Sequence, residues 1–384
     1  MTRPAYHSVL PETTHDELAR QHFVQSLATY LDRTMSPHLK RIYETEIKPD
    51  FEGEYNRSPR DRHEVRPLME GNPYYHWFSA VKRTAQEMLW ESVGSSVDRQ
   101  WPDLSAKISS ESPKLGSLTL SPDLHIPLYH TAIDIHCMPG GYGGQSEDVR
   151  GAAVYDRGTY VYGRGWLGEW NDDLGETAIH GYLKANYPDF TPSKILDLGC
   201  AVGHSTLPYV SAYPDAEVYA LDLSAAMLRY GHARAEALGK RVHFVQDNAE
   251  NTRFPAGSFD LIVSHILLHE IPVFAIRNVL KECYRLLSPG GMMVHVEAPL
   301  FRHMDAYTAF LYDWQTANNN EPFWSAMRDL DLATEAREAN FDRVTETFIP
   351  SYLHVLKRGN REGLGSRGTW LAIAAIKDEN ERES

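Results

Sequence analysis

The sequence is poor in the features that mark exported, membrane-spanning or nucleic-acid-bound chains. Only three cysteines, Cys137, Cys200 and Cys283, occur in 384 residues, too few and too scattered for a disulfide framework or a zinc knuckle. No uninterrupted apolar run reaches the roughly 18 residues that span a bilayer. The opening MTRPAYHSVLPETTHDE carries prolines and acids and no continuous apolar core, so it does not read as a secretion signal. The expected address is cytoplasmic, with no membrane partner. Positive charge is also in deficit: 38 Lys and Arg face 52 Asp and Glu, a formal net charge of -14. Such a chain repels phosphates, so no nucleic-acid partner is expected. A mild basic cluster at Arg57, Arg60, Arg62, His63 and Arg66 is interleaved with Asp61 and Glu64 and reads as a solvated linker.

What is present fits a soluble globular protein of one large domain with additions, or two domains: 42% hydrophobic and 23% charged residues. The stretch Ser193 to Asp222 organises the rest. Ile195 and Leu196 lead through Asp197, Leu198, Gly199, Cys200, Ala201, Val202 and Gly203 into a helix-compatible run, and a second apolar run, Val218 to Leu221, stops on Asp222. This is a βαβ unit whose second strand ends in a carboxylate. Glycine lets backbone approach a ligand closely, and an acid about 20 residues on can accept hydrogen bonds from both ribose hydroxyls. A dinucleotide fingerprint is missing: counted from Gly199, Ala201 and His204 stand where the second and third glycines belong.

With Asp197, Gly199 and Gly203 matching and Ala201 departing, the loop resembles motif I of the class I S-adenosylmethionine (SAM) methyltransferases. The downstream order agrees: a helix from Ser224 to Leu238, a strand Val242 to Val245 followed by Gln246 to Glu250, a fourth strand at Leu261 to Val263, LSPGG at Leu287 to Gly291, and a fifth strand to Val296. The resemblance covers about Tyr155 to Lys377. It implies an α/β fold, a seven-stranded doubly wound sheet closed by a hairpin of Arg343 to Ile349 and Thr369 to Ile376. Its boundaries are a mainly helical N-terminal extension, 1–144, and a methyltransferase domain, 145–384, with a helical insertion at about 299–332. It also implies SAM as cofactor, held by Asp197, Gly199, Cys200, Gly203, Asp222, Leu223, Ala249 and Ser264, with Asn248 or Asp247 reading adenine. Tyr155 and Tyr160, just ahead of motif I, are expected to face the sulfonium or the substrate, a favourable cation-π arrangement.

The resemblance further places the acceptor pocket after the fourth strand, at Ser264 to Pro272. There His269-Glu270 resembles the His-Asp pair with which small-molecule O-methyltransferases take a proton from a hydroxyl. His269 is the expected base, with Glu270 or a more distant carboxylate such as Glu297 behind it, and His265 nearby. Other readings stay open: C- or N-methylation, a metal held by His265 and His269 at helical spacing, or a non-catalytic assembly partner. No metal is assigned. Ahead of motif I, Thr14 with Glu17 caps a helix that Pro37 kinks or breaks. Residues 49–73 read as a long loop, Asn72-Pro73 starts a second helix, and SLTLSP and HIPLYHTAIDIH alternate like short strands. The extension is expected to shape the acceptor pocket or a homodimer interface; the substrate is a small molecule.

Overall fold

The structure is a computed structural model and describes residues 4–109, 115–353 and 369–378. Its strands are β1 (Ser117–Thr119), β2 (Lys194–Leu198), β3 (Glu217–Asp222), β4 (His243–Gln246), β5 (Phe259–His265), β6 (Leu287–Glu297), β7 (Arg343–Pro350) and β8 (Thr369–Ile376). They form one sheet in the order β1-β4-β3-β2-β5-β6-β8-β7. Neighbours from β1 to β6 are parallel, and β8 runs antiparallel between β6 and β7. Strands β2 to β8 are the seven expected. The eighth, β1, comes from the extension and pairs with β4 at the sheet edge.

Alternate residues of the central strands enter cores on opposite faces, as strand geometry requires. Leu196, Ile262 and Met293 pack with Ile276 and Leu280 of the helix Val273–Leu286, while Ile195, Val263 and Val294 pack with Tyr209 and Leu228 on the other side. The chain leaves β2 for β3 on one side and later returns to β5 on the other. This reversal opens a crevice at the carboxyl ends of β2 and β5, where open α/β sheets bind ligands.

The extension is more helical than the sequence suggests. Thr14 and Glu17 make the expected capping box for the helix His15–Tyr30. The break foreseen at Pro37 takes the form of a π-helical turn, Leu31–Met35, and the chain continues helically to Tyr55; a widened turn absorbs a proline that lacks an N–H and crowds the preceding turn. Residues 49–73, expected as a loop, hold the helices Lys48–Tyr55 and Arg62–Glu70. Pro49 sits in a first turn, where its missing donor costs nothing. The basic cluster is not a solvated linker either. Arg62 forks onto Asp329 at 2.8 and 2.6 Å, and Arg66 reaches Asp313 at 2.5 Å, so these charges pin the extension to the insertion, whose helices run from Ala306–Tyr312 to Leu332–Glu338. HIPLYHTAIDIH is not a strand. It forms a short helical turn, Leu128–Thr131, and a 3-10 turn, Ile135–Cys137, with His136 and Cys137 at positive φ.

Packing crosses the boundary drawn at residue 144. Leu89, Trp90 and Val93 of the helix Pro73–Arg99 share one core with Ala152 and Ala153 of the helix Arg150–Tyr162 and with Met227 and Tyr230 of the helix Ala225–Ala237. A Cβ at Gly158 would lie 2.4 Å from the Trp90 ring, and Trp90 is anchored by its Nε1–H donating to the His136 carbonyl at 2.8 Å. Gly158→Ala should therefore overpack this junction and lower stability by about 1–3 kcal/mol, read as a fall in thermal midpoint. An unchanged midpoint would show that the two helices can part freely.

Candidate active site

The crevice is lined from below by motif I. Gly199 and Cys200 both donate backbone N–H groups to the Leu221 carbonyl, at 2.8 and 3.0 Å, which folds the loop over the end of β3. Gly199 is at φ +68, and a Cβ there would meet Leu267 at 2.7 Å, so this position needs glycine. Ala201 also adopts a left-handed conformation, φ +46, at a strain of roughly 1–2 kcal/mol for a residue with a Cβ. It keeps the geometry that a glycine would give freely, and its N–H donates to Asp222 Oδ2 at 2.9 Å. Asp222 Oδ1 accepts from the Ser224 N–H at 2.8 Å.

Burial raises the Asp222 carboxyl above its ordinary range. Each oxygen takes one backbone donor and has a further lone pair to offer, which suits a pair of ribose hydroxyls. Asn248, Ala249 and Leu223 complete this side of the cavity. Asn248, not Asp247, lies on the wall; Asp247 is buried and accepts from the Arg253 backbone at 2.9 Å and its Nε at 3.0 Å. The residues present thus fit a ribonucleoside.

Several other expected site residues act beneath the wall. Asp197 is buried, accepting from Thr206 Oγ1 at 2.5 Å and lying 3.3 Å from His265 Nδ1. Cys200 and Gly203 shape the loop; all three cysteines are free and buried. Ser264 Oγ is 2.6 Å from His295 Nδ1, away from the cavity. Tyr155 is on the cavity wall. Tyr160 is buried elsewhere, beside Leu18 and Gln21 of the first helix. His265 lines the cavity, yet both its ring nitrogens are engaged, by Asp197 and by the Tyr209 hydroxyl at 3.1 Å, which leaves none for an acceptor's proton.

Beyond β5 the chain turns sharply at Ile266, whose φ of +54 is an outlier for a β-branched residue. This strained turn aims Glu270 into the cavity. His269 is not on the wall. Its Nδ1 meets Glu297 Oε2 at 2.7 Å, its ring lies edge-on to Trp324, and its Nε2 is 3.7 Å from Glu270 Oε1. Burial opposes charging His269, but Glu297 more than offsets it and raises the imidazole pKa.

Glu270 Oε1 also accepts from the Tyr142 hydroxyl at 3.1 Å and lies 3.2 Å from His136 Nε2. His136 Nδ1 is 3.0 Å from Glu321 Oε1, and Asn319 donates to that same oxygen at 2.7 Å. Burial again works against the imidazolium, yet the two carboxylates hold His136 well above its ordinary pKa. The second oxygens of Glu270 and Glu321 are buried without a partner, as is His130 Nδ1 on the cavity wall. Burial keeps His130 low despite Asp222 and Glu270. Among the described residues, no group of three or more His, Cys, Asp or Glu is placed to hold a metal, and no helix is long and apolar enough to cross a membrane.

Residues 195–291, which include motif I and the β5 turn, match the family described as Methyltransferase domain. The chain carries a class I methyltransferase domain. The cofactor of this domain is SAM, and the cradle of Gly199, Ala201, Asp222 and Asn248 fits it. Curated relatives include the demethylmenaquinone methyltransferases of Thermus thermophilus, 35% identical over 28% of this chain and 48% of that protein, and of Lactococcus lactis, 38% identical over 28% of this chain and 43% of that protein. The chain thus spans less than half the length of these relatives. Among solved structures it is similar to an O-methyltransferase family protein from Burkholderia thailandensis, at 16% identity and a TM-score of 0.45, covering 77% of this chain and 73% of that one.

His130, His136 and Tyr142 come from the extension, and Glu321 from the insertion, all outside the matched residues. No motif marks them. The histidines of HIPLYHTAIDIH beside a glycine-rich loop were the available signal.

The His136 bridge has a pH signature. Its folded pKa lies above the unfolded value near 6.5, so its stabilisation is fully present below about pH 6.5 and is lost as pH rises through the folded value. Thermal midpoints should fall on the alkaline side of neutrality, and Glu321→Gln should flatten that slope. A slope identical in both proteins would remove the bridge from the account.

Proposed function

We propose that the chain is an active SAM-dependent methyltransferase that methylates a small organic acceptor, and that Glu270 takes up the acceptor's proton. The observation that carries this reading is the Glu270 carboxylate on the cavity wall, flanked by His136 at 3.2 Å and His269 at 3.7 Å. SAM, when bound, supplies a methyl group on a sulfonium leaving group. Asp222 would accept the ribose hydroxyls and Asn248 would face adenine. Tyr142 and Tyr155 cover the site, so that the reaction occurs away from water. Holding the nucleophile in line supplies much of the rate in such transfers, with orientation worth roughly 7–11 kcal/mol in the best model systems.

Geometry decides between the two neighbours. A base must reach the proton it takes, and Glu270 is on the wall whereas His269 lies behind it. His269, paired with Glu297, places positive charge beside Glu270 and favours its ionised form. It is a positioning residue in this scheme, not the base expected from sequence. The acceptor atom is proposed to be a hydroxyl oxygen. A carbon acceptor is the second reading, favoured by relatives that bear the name demethylmenaquinone methyltransferase and by one named ubiquinone/menaquinone biosynthesis C-methyltransferase, from Methylobacterium nodulans. Either atom needs a base at this place. The extension, whose His136 and Tyr142 touch Glu270, belongs to the acceptor site in this reading.

Glu270→Gln keeps the shape and removes the base. It should lower kcat by about 10² to 10⁴ with little change in cofactor affinity, and His269→Ala should cost less. A Glu270→Gln enzyme within threefold of wild type on its true acceptor would sink this assignment.

A further inference from the structure

A second cavity, of about 480 Å³, lies between the extension and the insertion. Its walls are largely apolar, with Val24, Leu31, Phe78, Leu89 and Trp314 among them. It shares His136 with the cofactor crevice. Tyr162 and Asn319 line this cavity and approach the His136 ring, at 5.6 Å between ring centroids and 3.4 Å to Nδ1, and Gln86, also on the lining, donates to the His136 carbonyl at 2.9 Å. On its other side His136 meets Glu270.

The charges on this lining are already matched. Arg164 meets Asp32 at 2.7 Å, and the Lys82 ammonium sits 4.0 Å from the centre of the Trp314 ring, a cation-π contact. A charged ligand would have to break one of these pairings or stay uncompensated, and burying an uncompensated charge is costly. Polar capacity of the neutral kind is available. Gln25, Gln86, Gln315 and Asn319 bring amides to the lining, and the side-chain carbonyl of Gln315 is buried without a partner.

We propose that this cavity binds the body of the acceptor, and that the acceptor is an uncharged, mainly apolar molecule with a ring and at least one hydrogen-bond donor. Its assignment to the acceptor rests on the methyl-transfer reading; the cavity's preference for neutral apolar ligands stands on the lining itself. Trp314 and Phe78 offer ring contacts, Gln315 accepts from the ligand's donor, and His136 marks the end nearest Glu270.

The test uses the full chain with S-adenosylhomocysteine added to fill the cofactor crevice, and 1-naphthol as a fluorescent probe. 1-Naphthol should bind at least tenfold more tightly than 1-naphthoate or 1-naphthylmethylammonium. Ala28→Trp, which fills the cavity from the first helix, should weaken 1-naphthol at least tenfold while S-adenosylhomocysteine affinity, by calorimetry, stays within twofold. Gln315→Leu perturbs the fold less; it should weaken 1-naphthol about 3- to 10-fold and leave naphthalene within twofold. The proposal is overturned if a charged probe binds as tightly as 1-naphthol, or if both variants bind 1-naphthol like wild type. If neither protein binds S-adenosylhomocysteine while Ala28→Trp still abolishes 1-naphthol binding, the cofactor reading falls and the cavity remains a neutral-ligand site.

Discussion

The cofactor side of the structure depends on how one buried carboxylate is held. Asp222 accepts backbone N–H groups from Ala201 and Ser224, and both donors exist because of the sheet's topology. β2 ends directly beside β3, so motif I can turn back over Leu221 and present Ala201, while the helix beginning at Ala225 presents Ser224. Backbone donors fix the carboxylate without a salt bridge, which would occupy the lone pairs that a ribose needs. The strain at Ala201 follows from the same demand, since no other conformation brings its N–H onto Asp222 while Gly199 stays against Leu267.

The acceptor side depends on a different device. Glu270, Glu297 and Glu321 are carboxylates taken largely out of water, and each is answered by an imidazole: His136 between Glu270 and Glu321, His269 on Glu297. Buried pairs of this kind gain little net stability, because desolvation consumes most of the attraction. Their value here is geometric. They join the extension, the β5 turn and the insertion at one point, with the turn strained at Ile266 to deliver Glu270.

The sheet was legible because its signals are local and repeated. Apolar runs of strand length, glycine at the turn and an acid at the end of β3 specify β2 to β6 almost residue by residue, and the hairpin β7–β8 falls where it was expected. The helices at 48–55 and 62–70 were hidden by their prolines and charges. Those prolines occupy tolerated helical positions, and the charges are satisfied by Asp313 and Asp329, more than 240 residues downstream. The acceptor side was hidden for the same reason. His269 looked like the base because it resembles one in register, but whether a side chain reaches a cavity depends on the turn that carries it, and the outlier at Ile266 has no mark in the sequence. His136 and Glu321 meet across 185 residues, and no spacing rule connects them.

The central claim is that this crevice is a nucleoside site gripped by Asp222. Calorimetry of S-adenosylhomocysteine against wild type and Asp222→Ala tests it most directly. Hydrogen bonds to a charged group are worth about 1.5 to 3 kcal/mol each, so the account predicts binding by the wild type and at least a tenfold loss in the folded variant. Equal affinity in the two proteins would contradict it.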